Sequence, residues 1–302
     1  MTDAVAVVRR FNRSYTQRIG VLEDSFLGLG MPLGPARLLF EIGAAPLTAQ
    51  ASLTTQALRE CLGIDSGYLS RLLRRLEADG LVRVSPDPED RRRRLVALTG
   101  PGRERWRELE RRSDDQARLI VDPLTERQRA RLVRALREAD LLVRAATVSF
   151  APASLDSPVA RDVVGRYFAE IGRRFGFDPA GEAEKDGQLL IPPTGVFVVA
   201  VSDGEPVACG GLHTISPLAG PPRVAELKRM WVHDDWRGAG LGSRLLRHLE
   251  DQARALGHDV LRLDTNAALT EAISMYQRAG YRAIGRYNDN QWATHFFEKR
   301  LG

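Results

Sequence analysis

Apolar positions recur mostly at helical spacing in the first 147 residues, broken by one strand-hairpin-strand stretch, and a mixed strand-and-helix pattern follows. The stretch Ala4–Leu29 predicts a helix with a mixed apolar and Arg face, interrupted by Gly30, Pro32 and Gly34-Pro35. A short helix is predicted over Ala36–Gly43, ended by Pro46. Thr54 or Thr55 can start the next, in which Ala57, Leu58, Cys61 and Leu62 fall at helical spacing and Gly63 supplies a C-terminal cap. Asp65 or Ser66 can cap a further helix that carries Leu69, Leu72, Leu73 and Leu76 on one face and stops at Gly80. Leu81–Ser85 and Leu95–Leu98 read as strands around the charged hairpin VSPDPEDRRRR. Two long Arg/Glu-rich helices follow, one from near Pro101 and one from near Thr125 to about Thr147, with Pro123 between them.

At Val148 the character changes. VSFAPASLDSP reads as a strand and loop, and a helix covers about 159–175. Strands are predicted over 196–202, 207–213, 224–232 and 260–264, with closing strands around 281–285 and 292–298. Helices cover 241–256 and about 269–279. Strands alternating with helices predict an α/β layer structure. The expected organisation is therefore two domains, 1–147 and 158–302, joined by a linker at about 148–157.

Composition agrees with two domains: 302 residues exceed one ordinary core. No run approaches the roughly 18 apolar residues of a membrane span, and the N-terminus shows no signal-peptide pattern. Two distant cysteines, Cys61 and Cys209, do not make a disulfide framework, so a reducing cytoplasm is expected, with no membrane partner and no metal. Charge is uneven. Residues 1–147 carry 26 Arg, no Lys and 20 acidic residues; the remainder carries 18 basic and 19 acidic ones. The positive excess lies wholly in the first half, which suits a polyanion-binding domain beside a domain with another task.

Two short helices joined by LGIDSG form a helix-turn-helix pattern, and the second leaves Ser66, Tyr68, Ser70, Arg71, Arg74 and Arg75 facing outward. Side chains at the start of such a helix reach base edges in a major groove, where Arg pairs bidentately with guanine. The tip Arg91–Arg94, including Arg92 and Arg93, suits the minor groove or the backbone. The runs Arg103–Arg112 and Arg127–Arg137 read instead as solvated helix faces with Glu–Arg pairs. The motifs LGIDSGYLSRLLRRLEADGLV and DPEDRRRRLVALT make residues 5–145 resemble a MarR-type transcriptional regulator. That resemblance implies a mainly α winged helix, a homodimer built from the first and last helices, and recognition of pseudo-palindromic double-stranded DNA. It implies that Ser70, Arg71 and Arg74 meet the major groove. Asp90 and Arg92 become wing residues, the Asp orienting an Arg.

The sharpest motif is WVHDDWRGAGLGSRLLRHLE. A strand enters the loop RGAGLG, and a helix with Leu241, Leu245, Leu246 and Leu249 on one face leaves it. Gly238, Gly240 and Gly242 permit a sharp turn and close approach of a ligand. Free amides at the helix start make a pyrophosphate site, with Arg237 adding a charged contact. The spacing is GxGxG and differs from the dinucleotide fingerprint. With LDTNAALTEAISMYQRAGYRAIG further on, residues 158–302 resemble the GNAT acetyltransferases. This implies an α/β (α+β) domain with acetyl-CoA in a V between the strands at 225–232 and 260–265. By that resemblance, main-chain groups of Met230, Trp231 and Val232 bind the pantetheine arm. Amides of Arg237, Gly238, Ala239, Gly240, Leu241 and Gly242 hold the pyrophosphate, and Asn266 bonds the cofactor arm.

Acetyl transfer needs a neutral amine, an oxyanion donor and a proton for the leaving thiolate. Val232 N–H is the expected donor. Tyr276 is the general acid the resemblance implies. Glu226 is the candidate base, and strand alternation places it on one face with Lys228, Met230 and Val232. His213 is a second candidate base, and Tyr167, Glu170 and Phe175 are candidates for the acceptor pocket. The expected protein combines an N-acetyltransferase acting on a primary amine with a DNA-binding regulator. The alternatives are a regulator whose second domain only senses acetyl-CoA or an amine, and a first half that serves only for dimerisation.

Overall fold

The structure is a computed structural model, and it describes residues 3–19, 25–45, 53–88, 90–176, 187–202, 204–215 and 222–302. The chain divides into two compact units, 1–134 and 135–302.

In the first unit, helix α1 (Ala4–Arg18) starts at Asp3, whose carboxylate accepts from Val5 N at 3.0 Å, and buries none of its residues. It stops at Arg18, short of the expected Leu29. Phe26–Gly28 form a separate 3₁₀ turn with Leu27 at φ 53°, and Arg112 pins that turn by donating to the Leu27 carbonyl at 2.8 Å. Helix α2 (Leu33–Ala44) buries Ala36, Leu38, Leu39 and Ile42; the expected stop at Pro46 lies outside the described residues. Thr54 caps α3 (Thr55–Leu62) through Ala57 N, and Gly63 ends it at φ 61°, a left-handed conformation that favours glycine. Asp65 caps α4 (Ser66–Ala78), accepting from Tyr68 N at 2.8 Å. Its Leu69, Leu72, Leu73 and Leu76 are buried with the α2 residues in one core. Each fully buried leucine contributes about 1.5–3 kcal/mol. Strands β1 (Val82–Pro86) and β2 (Arg94–Leu98) pair antiparallel with Val84 opposite Val96, and Thr54 bridges to Leu95. Helix α5 (Gly100–Val121) is capped by Thr99, and a Cβ at Gly102 would lie 1.8 Å from the Leu81 carbonyl. Helix α6 (Glu126–Thr147) begins in the first unit and continues past residue 134 into the second.

The second unit holds β3 (Ser149–Pro152), α7 (Pro158–Phe175), β4 (Gly195–Ser202), β5 (Glu205–Thr214), β6 (Val224–Val232), α8 (Leu241–Ala255), β7 (Val260–Thr265), α9 (Thr270–Arg278), β8 (Arg282–Ala283) and β9 (His295–Arg300). A short 3₁₀ turn at Gly187–Leu190 has no counterpart in the sequence reading. The sheet order is β3-β4-β5-β6-β7-β9-β8, parallel at β6–β7 and antiparallel elsewhere. Helix α8 buries Leu241, Leu245, Leu246 and Leu249 against Ala208, Leu212, Ala225 and Leu227. Helix α7 covers the other face, where Ala160, Val163 and Val164 meet Phe197, Cys209 and Trp231. The mixed sheet is thus sandwiched between helices.

Two irregularities of β6 position the site. It pairs with β7 only from Val224↔Val260 to Leu227↔Leu263, and beyond Leu227 the two strands part. Its pairing with β5 slips between Cys209 and Gly211, where Arg229 takes φ 55°. The bulge overturns the expected common face of Glu226, Lys228, Met230 and Val232. Ala225 and Leu227 precede it in the α8-side core, Met230 and Val232 follow it there, and Trp231 joins the α7-side core. The inserted residue has changed the phase of alternation.

Candidate functional site

The split between β6 and β7 is where main-chain donors become free. Paired residues of antiparallel strands alternate between bonded and non-bonded pairs. His233 N donates to Val207 O at 2.9 Å. The neighbouring Val232, opposite Ala208, is therefore in the non-bonded phase, with its N–H directed away from β5 and toward the split. Met230 shares that phase. Trp231 has the opposite one, so its main chain faces β5, while its indole N–H donates to Glu170 at 2.8 Å.

After β6 the chain passes a 3₁₀ turn (Asp234–Trp236) and the glycine loop. Gly238 (φ 86°) and Gly240 (φ 76°) occupy the left-handed region, and Gly240 is the N-cap of α8. The first bond of α8 runs from Arg244 N to Gly240 O, which leaves the amides of Leu241, Gly242 and Ser243 without helical partners. These donors border a cavity of about 310 Å³ that also touches Met230, Val232 and Tyr276. Glycines, unpaired amides at a helix N-terminus and the strand split together fit a diphosphate with an extended arm.

Arg237 is already paired. Its Nη2 lies 2.7 Å from both oxygens of the buried Glu170, Nη1 contacts Asp234 at 2.6 Å, and Nε donates to Val232 O at 3.2 Å. Arg174 reaches the same Glu170 at 2.8 Å. Ala239 packs on the core beside the loop. The Asn266 side-chain amide donates to Trp292 O at 2.7 Å and accepts from Ala268 N at 2.9 Å. It borders a second cavity, of about 460 Å³, and not the first.

That second cavity is lined by Phe168 and Phe175 of α7 and by a polar cluster at the strand split. Glu226 is 4% exposed and accepts from His213 (3.0 Å), Tyr287 (2.7 Å), Asn288 (2.8 Å) and Lys228 (3.1 Å). Lys228 reaches across the split to Asp264 at 3.2 Å, and Asn288 and Asn290 also donate to Asp264. Burial pushes the Glu226 pKa up, but the bond from His213, the Lys228 charge and the Tyr287 hydroxyl outweigh it and hold it at about 2. Both nitrogens of His213 face acceptors, Glu226 and the Thr214 carbonyl. The sequence gives no local sign of Tyr287, Asn288 or Asp264, which a loop and a neighbouring strand deliver.

Tyr276 lies at the end of α9, 5% exposed, against Tyr281 and Phe297. It borders both cavities. Burial, with Asp264 nearby, raises its pKa above the ordinary phenol value, which keeps it protonated at neutral pH.

In the first unit, Ser66, Tyr68, Ser70, Arg71 and Arg74 are all exposed on the side of α4 opposite its leucines. The Ser70 hydroxyl bonds back to Ser66 O, and the Arg71 guanidinium sits over the Tyr68 ring at 5.6 Å. Arg92 and Arg93 are exposed at the wing tip. Asp90 accepts from Arg92 N at 3.0 Å and pairs with the Arg93 side chain at 3.6 Å. A concavity of about 660 Å³ between α3, α4 and the wing is lined by Ser66, Ser70 and Arg74, and also by Gln56, Arg59 and Arg94. Gln56 and Arg59 of α3 were not anticipated, because α3 read only as the packing helix of the pair. Among the described residues no helix is long and apolar enough to cross a membrane, and no metal-binding cluster occurs.

A sheet parted beside a glycine loop, with a phenol between two cavities, is an arrangement suited to group transfer. Residues 166–281 match the acetyltransferase (GNAT) family, and residues 29–93 match the MarR family. The IAA acetyltransferase of Azospirillum brasilense is 34% identical over 134 residues, 44% of this chain and 84% of that protein. The aminoalkylphosphonate N-acetyltransferase of Salmonella typhimurium is 31% identical over 103 residues, 33% and 67% of the two chains. A solved GNAT family acetyltransferase from Elizabethkingia anophelis, with acetyl-CoA bound, covers 51% of this chain and 97% of its own at 18% identity, with a TM-score of 0.37. The chain belongs to the GNAT acetyltransferase family, with a MarR-family region preceding its N-acetyltransferase domain.

Proposed function

We propose that the second unit transfers an acetyl group from acetyl-CoA to a primary amine, and that the first unit binds double-stranded DNA as a regulator. The observation that carries the enzymatic reading is the meeting of two cavities at Tyr276 and Met230, beside the Val232 N–H and the glycine loop. Acetyl-CoA supplies an activated acetyl thioester. The amides of Leu241, Gly242 and Ser243 bind the diphosphate, and Met230 and Val232 bind the arm through their main chain. Arg237 organises the loop through Glu170 and Asp234. Val232 N–H stabilises charge developing on the carbonyl oxygen. As the amine nitrogen bonds to the carbonyl carbon, the C–S bond breaks and its electron pair stays on sulfur. Tyr276 gives sulfur its phenolic proton and recovers one from solvent. The amine's own proton leaves to solvent.

Glu226 has a different role from the expected base. At a pKa of about 2 it is a weak proton acceptor, and its oxygens are taken by four side chains. We assign it the anchoring of the loop that carries Tyr287 and Asn288. Both ring nitrogens of His213 lie against protein oxygens, on Glu226 and on the Thr214 carbonyl. These facts are also what favours the second reading, a domain that senses acetyl-CoA without turnover.

The DNA reading rests on the exposed Arg and Ser row of α4 beside the wing. The helix α1, with Val5, Val8, Phe11 and Tyr15 exposed, supports a homodimer, since an uncovered apolar face needs a partner. Calorimetry with acetyl-CoA, followed by CoA release across a panel of primary amines, tests the enzyme. Binding without CoA release for any amine would establish the sensor and end the transferase reading.

A further inference from the structure

Six residues border both cavities: Tyr167, Ile171, Met230, Leu269, Ala272 and Tyr276. The only hydroxyls among them belong to Tyr276 and to Tyr167, which lies on α7, outside the motifs that carry the acetyltransferase resemblance. The Tyr167 ring is held edge-on against Phe168 at a centroid distance of 4.9 Å. Among the described residues neither hydroxyl has a hydrogen-bond partner, and neither is a sealed atom, so both open onto the cavity space. By contrast, Glu226, Asp264, Asn266 and His213 each bond protein partners.

Taking the acetyl-transfer reading as its basis, the geometry points to Tyr167 as a second catalytic residue whose phenolic oxygen accepts a hydrogen bond from the attacking amine. The assignment follows by allocation. Val232 N–H serves the carbonyl oxygen and Tyr276 serves sulfur. The amine is the one reacting group left without a partner, and of the two hydroxyls that border both cavities Tyr167 is the one left without a task. A bond from an amine N–H to a fixed phenol oxygen orients the nitrogen lone pair toward the carbonyl carbon. Burial raises the Tyr167 pKa, so it stays neutral and orients the amine without removing its proton.

The test uses the full chain with hydroxylamine, a small amine nucleophile that needs no fit to the acceptor walls, and follows CoA and acetohydroxamate. Tyr167→Phe keeps the ring and removes only an unpartnered hydroxyl, so the thermal midpoint should be unchanged. The expected result is a fall of about tenfold or more in kcat/KM for hydroxylamine, consistent with one lost hydrogen bond in the transition state. Acetyl-CoA Kd by calorimetry should stay within about twofold of wild type. Unchanged kcat/KM would reduce Tyr167 to a packing residue and overturn the inference. A parallel loss of acetyl-CoA affinity would overturn it too, by making Tyr167 part of the cofactor wall. A wild type that binds acetyl-CoA yet releases CoA with neither hydroxylamine nor any primary amine of the panel would refute acetyl transfer itself, and this role with it; where only a panel amine reacts, the same comparison is made with that amine.

Discussion

The Tyr287 hydroxyl donates to the Glu226 carboxylate at 2.7 Å, joining a loop before the last strand to the middle of the sheet, 61 positions earlier. The same carboxylate holds His213, Lys228 and Asn288, which makes it the fixed point of one cavity wall. Its folded pKa, about 2, lies below its ordinary value of 4.5. A depressed carboxylate contributes stability above its unfolded pKa and loses it as pH falls through the folded one. The contribution is on the order of 3 kcal/mol. Wild type should therefore lose stability between pH 4.5 and 2, and Glu226→Gln should be less stable at pH 7 by about that amount. The gap between the two should shrink toward pH 2. Urea denaturation across that range measures this, and a constant gap would refute the linkage.

Tyr276→Phe removes the proposed proton donor while leaving the ring among Tyr281 and Phe297. The expected loss in kcat is roughly 100- to 10,000-fold, with acetyl-CoA Kd unchanged. Because burial raises this phenol's pKa, any alkaline fall in wild-type rate due to Tyr276 must lie above the ordinary tyrosine value of about 10. Stopped-flow CoA release by wild type and variant checks both points. Full turnover by the variant would remove Tyr276 from the mechanism.

Much of this site was written locally. The glycine loop, the leucine face of α8 and the position of Tyr276 on α9 follow from spacing within single elements, as do the caps Thr54 and Asp65. What escaped depends on pairs distant in sequence. The parting of β6 and β7 after Leu227–Leu263 is a matter of inter-strand register, and no local pattern records it. The bulge at Arg229 reverses alternation in a strand that otherwise reads as regular. The bond from the Asn266 amide to the Trp292 carbonyl, 26 positions on, is likewise absent from any local pattern. The end of α1 at Arg18 was equally hidden, because helical spacing continues beyond it.

Glu170 links α7 to the glycine loop by accepting from Trp231, Arg174 and Arg237 together. Glu170→Gln keeps the shape but removes the charge between two guanidinium groups. Removing one partner of a fully buried pair costs about 3–5 kcal/mol, and less here because Arg237 is partly exposed and retains Asp234. The loop should loosen, and the KM for acetyl-CoA should rise about tenfold, with kcat changed less than threefold. Steady-state kinetics at saturating amine decides it; an unchanged KM would show that the loop holds its shape without Glu170.

Arg71 and Arg74 stand one turn apart on the exposed side of α4, and Arg74 lines the concavity between that helix and the wing. Each arginine that meets a base pairs bidentately with guanine, a contact worth about 1–3 kcal/mol of discrimination. Replacing both with alanine should abolish specific binding to an operator selected from random duplexes. The leucine face is untouched, so the fold should persist, and acetyl transfer should continue at the wild-type rate. Residual non-specific binding should keep its dependence on salt, because wing arginines such as Arg92 and Arg93 still reach phosphates. Electrophoretic mobility shifts at several salt concentrations, run beside a CoA-release assay on the same preparation, separate the two activities. If the double variant keeps its operator preference, α4 is not the reading helix. If acetyl transfer falls with DNA binding, the two sites are not independent.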